Sequence, residues 1–447
     1  MTSIPPTPAS PVLWQNREQT VTLIDIPQST SVGQGTDEFP FNHVLLSTEP
    51  LKSPYESNEP KADAAKAKLE TNSVHEDIHS NYEKLITSSL AEIRSGYQGT
   101  WCSPRLFLQE RPRAAKKRKL EKTKDEPSEL GPNGFDLPSG FLQNIVYPIT
   151  PNSFMCELTF GNDCHAENTA QNDITFVYNE SAHPQTLIMT PLSSLQPFKF
   201  HVPPNATFSL SDCSTSRPFH DAGQKFDMII LDPPWPNRSV RRARKTSHST
   251  YETASRTSDI DSLLKNLRLE ELMADECMVG IWITNKPAIR ELVLGPNGLF
   301  AKTWELDLVE EWIWLKTTMN GGPVSELGAL WRKPYEVFLL GRRRQNSQTR
   351  DHMATLTSTN AETNIFEPES KPNDESEDNA VKQRVLVSVP DLHSRKPCLK
   401  ELLQEFMPSD GRVLEIFARH LVAGWSSWGD ECVKFNWEGY WQRPGDV

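Results

Sequence analysis

An aspartate, two prolines and a tryptophan follow a short apolar run and carry the clearest chemical signal in the sequence. The run is Phe226–Leu231, and Asp232, Pro233, Pro234 and Trp235 come directly after it. Ligands of parallel α/β sheets bind beyond the carboxyl ends of the strands, so these four residues stand where chemistry occurs. The alternative is structural: Asp232 would cap a stiff turn and Trp235 would fill the core.

The types of these four residues suit the activation of an aromatic amine. Such an amine is a poor nucleophile because its lone pair is delocalised into the ring. A carboxylate accepting one N–H, and a backbone carbonyl held rigidly by proline accepting the other, would aim that lone pair. The indole offers a stacking face to an unstacked base. This arrangement suits attack on a positioned electrophile such as the sulfonium methyl of S-adenosylmethionine.

The motif Asp-Pro-Pro-Trp after an apolar strand resembles the signature of the N6-adenine methyltransferases related to the messenger-RNA adenosine methyltransferase catalytic subunit. The resemblance covers about residues 205–437, and its further motifs are Gly280–Asn285, Glu311–Lys316, Lys333–Glu336, Ser394–Pro397 and Glu415–Arg419. The sequence is most similar to the methyltransferase-like protein 4 branch, on the segments Asn237–Arg242, Lys333–Glu336 and Gly424–Gly429.

The resemblance implies a binding site for S-adenosylmethionine and no metal. An acidic residue near the end of a strand commonly binds ribose hydroxyls, and the family assigns that role to Glu415; a core strand with one exposed glutamate is the alternative. Lys396 would lie near the cofactor carboxylate. The other residues that the resemblance assigns to the cofactor are Asp212, Phe417, Arg419, His420, Asp430 and Glu431. His420 stands where the family often has asparagine, and Asp430 and Glu431 stand where it often has amides.

A cationic loop beside the signature indicates contact with a nucleic-acid backbone. Five cations lie between Arg238 and Lys245. A solvated loop is the usual explanation of such a run, but beside a base pocket it would neutralise phosphates. The predicted substrate-binding residues are Asn237, Arg238, Arg241, Arg242 and Glu336, of which Glu336 is similar to a family acid near the target base; the alternative for Glu336 is a surface carboxylate.

The elements that must position these residues form an α/β pattern after residue 225. Strands are predicted at Phe226–Leu231, Met278–Thr284, Leu308–Lys316, Glu336–Leu340, Arg384–Val389, Arg412–Ala418 and Cys432–Asn436, with helices near Ile260–Ala274 and Cys398–Phe406. Alternating strands and helices predict a mostly parallel sheet covered on both faces. The catalytic strand precedes the cofactor strand, which is the permuted order of the family. We therefore predict a Rossmann-like methyltransferase domain at 205–447, with an acidic insertion at about 345–383.

The residues before 205 predict two further regions. Nine of the first 60 residues are proline, so residues 1–95 are predicted to be largely disordered. Residues 96–204 contain short apolar runs typical of a smaller mixed or β-rich accessory domain. Its basic cluster Arg111–Lys119 favours a nuclear-import signal over a solvated helix face, although nucleic-acid contact would use the same residues.

Composition limits the remaining classes of protein. The chain has 447 residues, 36% apolar, with a net charge of −12 and seven scattered cysteines. That pattern fits free thiols in a reducing compartment and favours neither a disulfide framework nor a zinc site. No apolar run predicts a membrane span, and the first residues do not predict a secretory signal. We expect a nuclear location, with the cytoplasm as the alternative.

The sequence therefore predicts an S-adenosylmethionine-dependent N6-adenine methyltransferase acting on nucleic acid. The resemblance favours adenosine or 2′-O-methyladenosine in small nuclear RNA, with DNA adenine as the alternative, because recognition of a 2′-hydroxyl leaves no readable motif. A catalytically silent nucleic-acid-binding subunit is the rival class, but such a subunit is expected to lose Asp232 or Trp235. A nuclear scaffold acting through its N-terminus is a third reading, and no protein partner is indicated.

Overall fold

A computed structural model describes residues 10–56, 63, 76–108, 156–160, 164–169, 174–191, 197–236, 257–329, 333–344, 381–392 and 395–443. Three predicted features lie outside these ranges: the basic cluster Arg111–Lys119, the cationic loop with Asn237, Arg238, Arg241 and Arg242, and positions 345–380 of the acidic insertion. Within the described ranges, no helix is long and apolar enough to cross a membrane.

The strands in chain order are β1 (Val12–Gln15), β2 (Val21–Ile24), β3 (Val44–Leu45), β4 (Cys156–Phe160), β5 (Cys164–Thr169), β6 (Ile174–Asn179), β7 (Gln185–Pro191), β8 (Phe198–Val202), β9 (Thr207–Ser209), β10 (Phe226–Leu231), β11 (Met273–Ile283), β12 (Leu306–Lys316), β13 (Tyr335–Arg343), β14 (Lys382–Ser388), β15 (Val413–Ile416), β16 (Ser426–Trp428) and β17 (Trp441–Gln442). The α-helices are α1 (Ile26–Gly33), α2 (Glu76–Gly96), α3 (Pro218–Asp221), α4 (Thr257–Asn266), α5 (Pro287–Leu294) and α6 (Lys400–Leu403).

Twelve of these strands form one sheet in the order β1-β2-β14-β12-β13-β11-β10-β15-β16-β9-β6-β5. Strand β10 pairs in parallel with β11 and β15, and the parallel run continues through β16 to β9. Strand β13 is antiparallel to both neighbours, so β12, β14 and β2 point the same way as β10. The carboxyl ends of eight strands (β2, β9, β10, β11, β12, β14, β15 and β16) therefore lie along one edge, which we call the carboxyl edge. This architecture confirms the predicted Rossmann-like α/β class.

Two apolar cores cover the faces of the central strands. The β10 side chains alternate between them: Ile229 and Leu231 pack on one face, while Met228 and Ile230 pack on the other. The four apolar residues Met228–Leu231 satisfy both faces at once. Asp227, the one polar residue of the strand, is only partly buried and accepts the Arg412 N–H at 2.8 Å, so the whole of Phe226–Leu231 forms a strand as predicted. The strand is thereby fixed on all sides, and so is the direction in which it delivers Asp232.

The N-terminal region differs from its prediction as a largely disordered segment. Residues 10–56 and 76–95 are ordered, and β2 pairs in parallel with β14 inside the main sheet. The prolines do not prevent this, because Pro27 occupies the first turn of α1, where its missing N–H costs no hydrogen bond. Asp25 caps the same helix by accepting the Gln28 N–H at 2.9 Å. The proline content of the first sixty residues is an average, and it does not show short apolar strands such as β2.

Strands are present in the described part of residues 96–204, the range predicted to form a mixed or β-rich accessory domain, and two of them join the main sheet. Strand β6 pairs antiparallel with β9 and with β5, which extends the sheet, whereas β4, β7 and β8 form a separate three-stranded sheet. Further along the chain, the strand predicted at Cys432–Asn436 was wrong. Lys434–Asn436 forms a 3-10 turn instead, because the buried Asn436 side chain is needed to accept the Leu421 N–H at 2.7 Å.

Helix α2 is fastened to the sheet by an apolar stripe that predicts a measurable effect on stability. Its buried residues are Tyr82, Ile86, Ser89, Leu90 and Ile93. Because Ile86 is fully buried, Ile86→Ala should lower the free energy of unfolding by about 2–5 kcal/mol in chemical denaturation. The exposed Lys84→Ala on the same helix is the control and should change it by less than about 0.5 kcal/mol. Equal effects of the two substitutions would show that α2 does not dock.

Candidate active site

Asp232 lies at the carboxyl edge directly after β10, and two cations hold its carboxylate. Lys396 Nζ lies 3.0 Å from Asp232 Oδ1, and Arg419 Nη1 lies 3.1 Å from Asp232 Oδ2. Lys396 comes from the segment before α6, and Arg419 follows β15. The three side chains are 16–19% exposed, so these contacts are shielded from solvent and are worth more than surface ion pairs.

The two cations belong to a longer row of alternating charges. Lys396 also contacts Glu336 at 3.0 Å, and Glu336 in turn pairs with Lys316. On the other side, Arg419 contacts Glu431 at 3.3 Å, and Lys434 contacts the same carboxylate at 2.8 Å. We call this row the ion chain: Lys434, Glu431, Arg419, Asp232, Lys396, Glu336 and Lys316. Each carboxylate in the ion chain lies between two cations.

The ion chain sets the protonation of its members. Burial alone would raise the pKa of Glu336, but Lys316 and Lys396 together hold that pKa well below its usual range. Burial would likewise lower the pKa of Lys396, but Asp232 and Glu336 raise it. Glu431 follows Glu336, since Lys434 and Arg419 lower its pKa against the effect of burial. These three groups are therefore charged at neutral pH.

Glu415 lies beside Asp232 in the adjacent strand β15 and behaves differently. Burial, reinforced by the negative charge of Asp232, raises its pKa to about 8. Among the described residues, Glu415 Oε2 has no hydrogen-bond partner although the atom is buried. A buried carboxyl oxygen without a partner costs free energy, so a ligand that hydrogen-bonds to it would be stabilised here; the predicted contact with a ribose stays a prediction.

A cleft at the carboxyl edge brings six of the predicted site residues together. It is lined by Asp232, Lys396, Glu415, Phe417, Arg419 and His420, with Trp282 and Phe435 among its apolar walls. His420 Nε2 is a second buried atom with no partner in the described part of the chain. Charged, polar and aromatic groups thus converge in one concave place, which is the usual character of a ligand site.

The turn after β15 is shaped by an unusual backbone. Phe417 has φ of +60°, and Gly429 has φ of +154°. A Cβ at position 429 would make a tight contact of 3.3 Å with Phe417 Cα, and other residues rarely adopt this φ, so glycine suits the close approach of the two backbone segments. Strain of this kind is retained where it places functional side chains. Here it aims Phe417 into the cleft and Arg419 at Asp232.

The remaining predicted cofactor residues lie at the far end of the same edge. Asp430 follows β16 and Asp212 follows β9, two neighbouring strands. Burial, with further contributions from Glu431 and Asp212, raises the pKa of Asp430 to about 7. Asp212 accepts the Ser214 N–H at 2.7 Å and so also serves as a turn residue. Their use for a cofactor stays a prediction.

Trp235 fills the core in this structure, as the structural alternative for that residue predicts. Trp235 is 8% exposed and packs in the core, and its indole N–H donates to the Trp282 carbonyl at 2.7 Å. Its backbone N–H donates to the Pro233 carbonyl at 2.8 Å. That carbonyl keeps a second lone pair for a substrate. Stacking of Trp235 on a base stays a prediction.

Lys316 and two tryptophans that lie beneath the cations belong to the site although they were not among the predicted site residues. Lys396 Nζ lies 5.2 Å from the Trp282 ring centroid, and Lys316 Nζ lies 4.6 Å from that of Trp314. Lys316 and Trp314 stand two residues apart in β12, so their side chains lie on the same face of the sheet, and this spacing is the local signal of the contact. No group of three or more side chains that could together bind a metal ion occurs among the described residues.

Comparison with known proteins gives one family and several relatives. A family model described as MT-A70 matches residues 226–431. The chain is 30% identical over 442 residues to the N6-methyladenosine RNA methyltransferase MTA1 of Cryphonectria parasitica, covering 97% of this chain and 94% of that protein. It is 33% identical to the N(6)-adenine-specific methyltransferase METTL4 of Homo sapiens, over 56% of this chain and 47% of the human protein. It is 30% identical to a DNA N6-methyl methyltransferase of Caenorhabditis elegans, over 52% and 53% of the two chains.

The central position of Lys396 in the ion chain predicts a pH-dependent loss of stability on its removal. Lys396→Met leaves Glu336 and Asp232 with one cation each, which should cost about 1.5–3 kcal/mol of unfolding free energy at pH 7. A carboxylate whose pKa is lowered in the folded state stabilises above its unfolded pKa, and this contribution is lost as the pH falls through the folded value. The difference between wild type and variant, measured by urea unfolding, should therefore shrink below about pH 4.5. A constant difference at all pH values would contradict the electrostatic explanation.

Proposed function

The chain belongs to the MT-A70 family of N6-adenine methyltransferases that act on nucleic acid, and from this premise we propose that it transfers the methyl group of S-adenosylmethionine to the N6 amine of adenosine in RNA. The observation that carries the proposal is the Asp232 carboxylate, fixed at the carboxyl edge by Lys396 and Arg419 and adjoining the partnerless Glu415. One wall of the cleft thus offers acceptors for an amine, and another offers an acceptor for ribose hydroxyls.

The residues of the cleft fit the methyl donor. Glu415 Oε2 lacks a donor, and ribose hydroxyls would supply one. Lys396 would hold the carboxylate of the donor, Phe417 would pack beside its ribose, and Arg419 would close the adjacent loop. When bound, S-adenosylmethionine supplies an electrophilic methyl group on a sulfonium centre.

Asp232 and Pro233 would orient the substrate amine. A carboxylate offers about four lone-pair sites, and in Asp232 the two cations occupy one direction on each oxygen. Asp232 can therefore accept one N–H of the amine while the Pro233 carbonyl accepts the other. Alignment of the lone pair supplies much of the rate. The methylated amine becomes acidic before it loses its proton, so a strong base is not required.

The proposed substrate is RNA because the relative that matches nearly the whole chain is named as an RNA methyltransferase. Within RNA, the resemblance to the methyltransferase-like protein 4 branch supports adenosine or 2′-O-methyladenosine in small nuclear RNA. DNA adenine is a second candidate, supported by the relative named as a DNA methyltransferase. The basic cluster Arg111–Lys119 supports a nuclear site of action.

The proposal predicts that Asp232→Ala strongly reduces methylation of adenine N6. We expect a loss in kcat of about 10²- to 10³-fold, the size found when one preorganised polar group is removed from an active site. The measurement is label transfer from S-adenosylmethionine to RNA and DNA oligonucleotides of matched sequence. The exposed carboxylate Asp275, at the start of β11, provides the control Asp275→Asn. Undiminished label on N6 in Asp232→Ala would exclude the assigned role, and the RNA-to-DNA ratio would decide the substrate.

The raised pKa of Glu415 predicts that donor binding releases a proton. Below about pH 8 the buried carboxyl of Glu415 is protonated, whereas binding of the cationic S-adenosylmethionine favours its ionised form. The affinity for S-adenosylmethionine should therefore rise with pH up to about 8 and then level off. Isothermal titration in buffers of different ionisation enthalpy measures the proton directly. In Glu415→Gln this dependence should disappear. Asp430→Asn tests the other group that titrates in this range, and loss of the dependence in that variant alone would reassign the proton.

A further inference from the structure

The first turns of α2 reach into the segment that leads to Glu336. His79 Nε2 lies 2.8 Å from Lys333 Nζ, and His79 Nδ1 lies 2.9 Å from the Tyr335 hydroxyl. The Lys333 ammonium also donates to the Leu327 carbonyl at 3.1 Å. The His79 side chain is only 14% exposed. One imidazole from outside the 226–431 match therefore holds two residues of the Lys-Pro-Tyr-Glu motif.

The partners of His79 fix the position of its proton. An ammonium group has donors only, so Nε2 must accept from Lys333. The proton of a neutral ring then sits on Nδ1 and is donated to the Tyr335 hydroxyl oxygen. A protonated ring would have no acceptor for Lys333 and would place two positive charges in contact.

The segment held by His79 delivers Glu336 to the ion chain. The Pro334 carbonyl accepts the Lys316 N–H at 2.7 Å, and the Tyr335 carbonyl accepts from the Asn285 side chain. Glu336 comes next and contacts Lys396, which contacts Asp232. A displacement of Lys333 or Tyr335 would therefore move Glu336, and through its contact with Lys396 it would move Asp232.

We propose that His79 is a positioning residue for methyl transfer, holding Lys333 and Tyr335 so that Glu336 and Lys396 orient Asp232. The inference rests on the proposed role of Asp232. It makes α2 a working part of the active site and not only a cover for the sheet.

The charged groups around His79 predict that its role can be followed in the pH dependence of kcat at acidic pH. Burial, together with Lys333, lowers the pKa of His79 below its usual value, so the ring is neutral near pH 7. The groups facing it are Lys333 from the preceding loop, Tyr335 from β13, and Glu83 on α2 at 4.0 Å. Behind them, Glu311 of β12 and Arg290 of α5 pair with each other. Among the described residues that interact with the ring, Glu83 is the one carboxylate, and its side chain is 48% exposed.

The test measures methyl transfer by the full chain from labelled S-adenosylmethionine to an adenosine RNA oligonucleotide. His79→Phe removes both contacts and should lower kcat about ten- to a hundredfold, with the KM for RNA nearly unchanged, because misplacement of a reacting group acts on the chemical step. Lys333→Met should act on the same link. The kcat of the double variant should therefore be no lower than that of the more impaired single variant. Lys84→Ala is the control on the same helix and should match wild type.

His79→Gln keeps an acceptor and a donor but does not titrate. The acid limb of the pH profile of kcat should therefore be flatter in His79→Gln than in wild type, a change that loss of folding stability alone would not produce. A kcat within about twofold of wild type in His79→Phe, additive losses in the double variant, or an unchanged acid limb in His79→Gln would each overturn the proposal. Asp232→Asn is assayed in parallel: activity in that variant rejects the catalytic assignment, whereas inactivity with a fully active His79→Phe rejects only the positioning role.

Discussion

The pairing of Asp232 with Lys396 and Arg419 is the contact on which the carboxyl edge depends. Three charged side chains with little exposure are stable together only because their signs alternate and their hydrogen bonds are made. Neither cation comes from β10: one follows β14 in the chain and the other follows β15. The strand order of the sheet is what brings them to a single carboxylate, so the ionic arrangement and the topology require each other.

The two apolar cores give that arrangement its rigidity. Each face of β10 is packed against a different set of side chains, and its parallel neighbours are packed in the same way. The N-terminal elements complete this body, since β2 extends the sheet and α2 covers it. Composition alone suggested that the same residues would be unstructured. Their few apolar side chains suffice because the sheet supplies a preformed surface and they need no core of their own.

The sequence predicted best those features that depend on neighbours in the chain. The strand Phe226–Leu231, the carboxylate after it and the glutamate in the 413–416 strand could all be found from local pattern and family resemblance. The roles of Lys316 and His79 could not, because they arise from contacts with residues distant in sequence. Lys316 ends the motif Glu311–Lys316, but that motif does not show that Lys316 pairs with Glu336, and His79 stands in no distinctive motif. Trp235 illustrates a further limit: its residue type suits both a stacking face and a core filling, and only its 8% exposure shows which one this conformation uses.

The pairing of β2 with β14, and of β10 with β15, has a consequence for biosynthesis. Strand β10 leaves the ribosome with both parallel neighbours, β11 and β15, still to be made, and the second of them begins at Val413. At about 5–20 residues per second, the ribosome needs roughly 10–35 s to travel from Leu231 to Val413. Until β14 is made one edge of β2 is unpaired, and until β15 is made one edge of β10 is unpaired; such edges promote aggregation. The nascent enzyme thus completes its sheet late in translation, and Arg419, the second cation that pairs with Asp232, is synthesised directly after the last central strand.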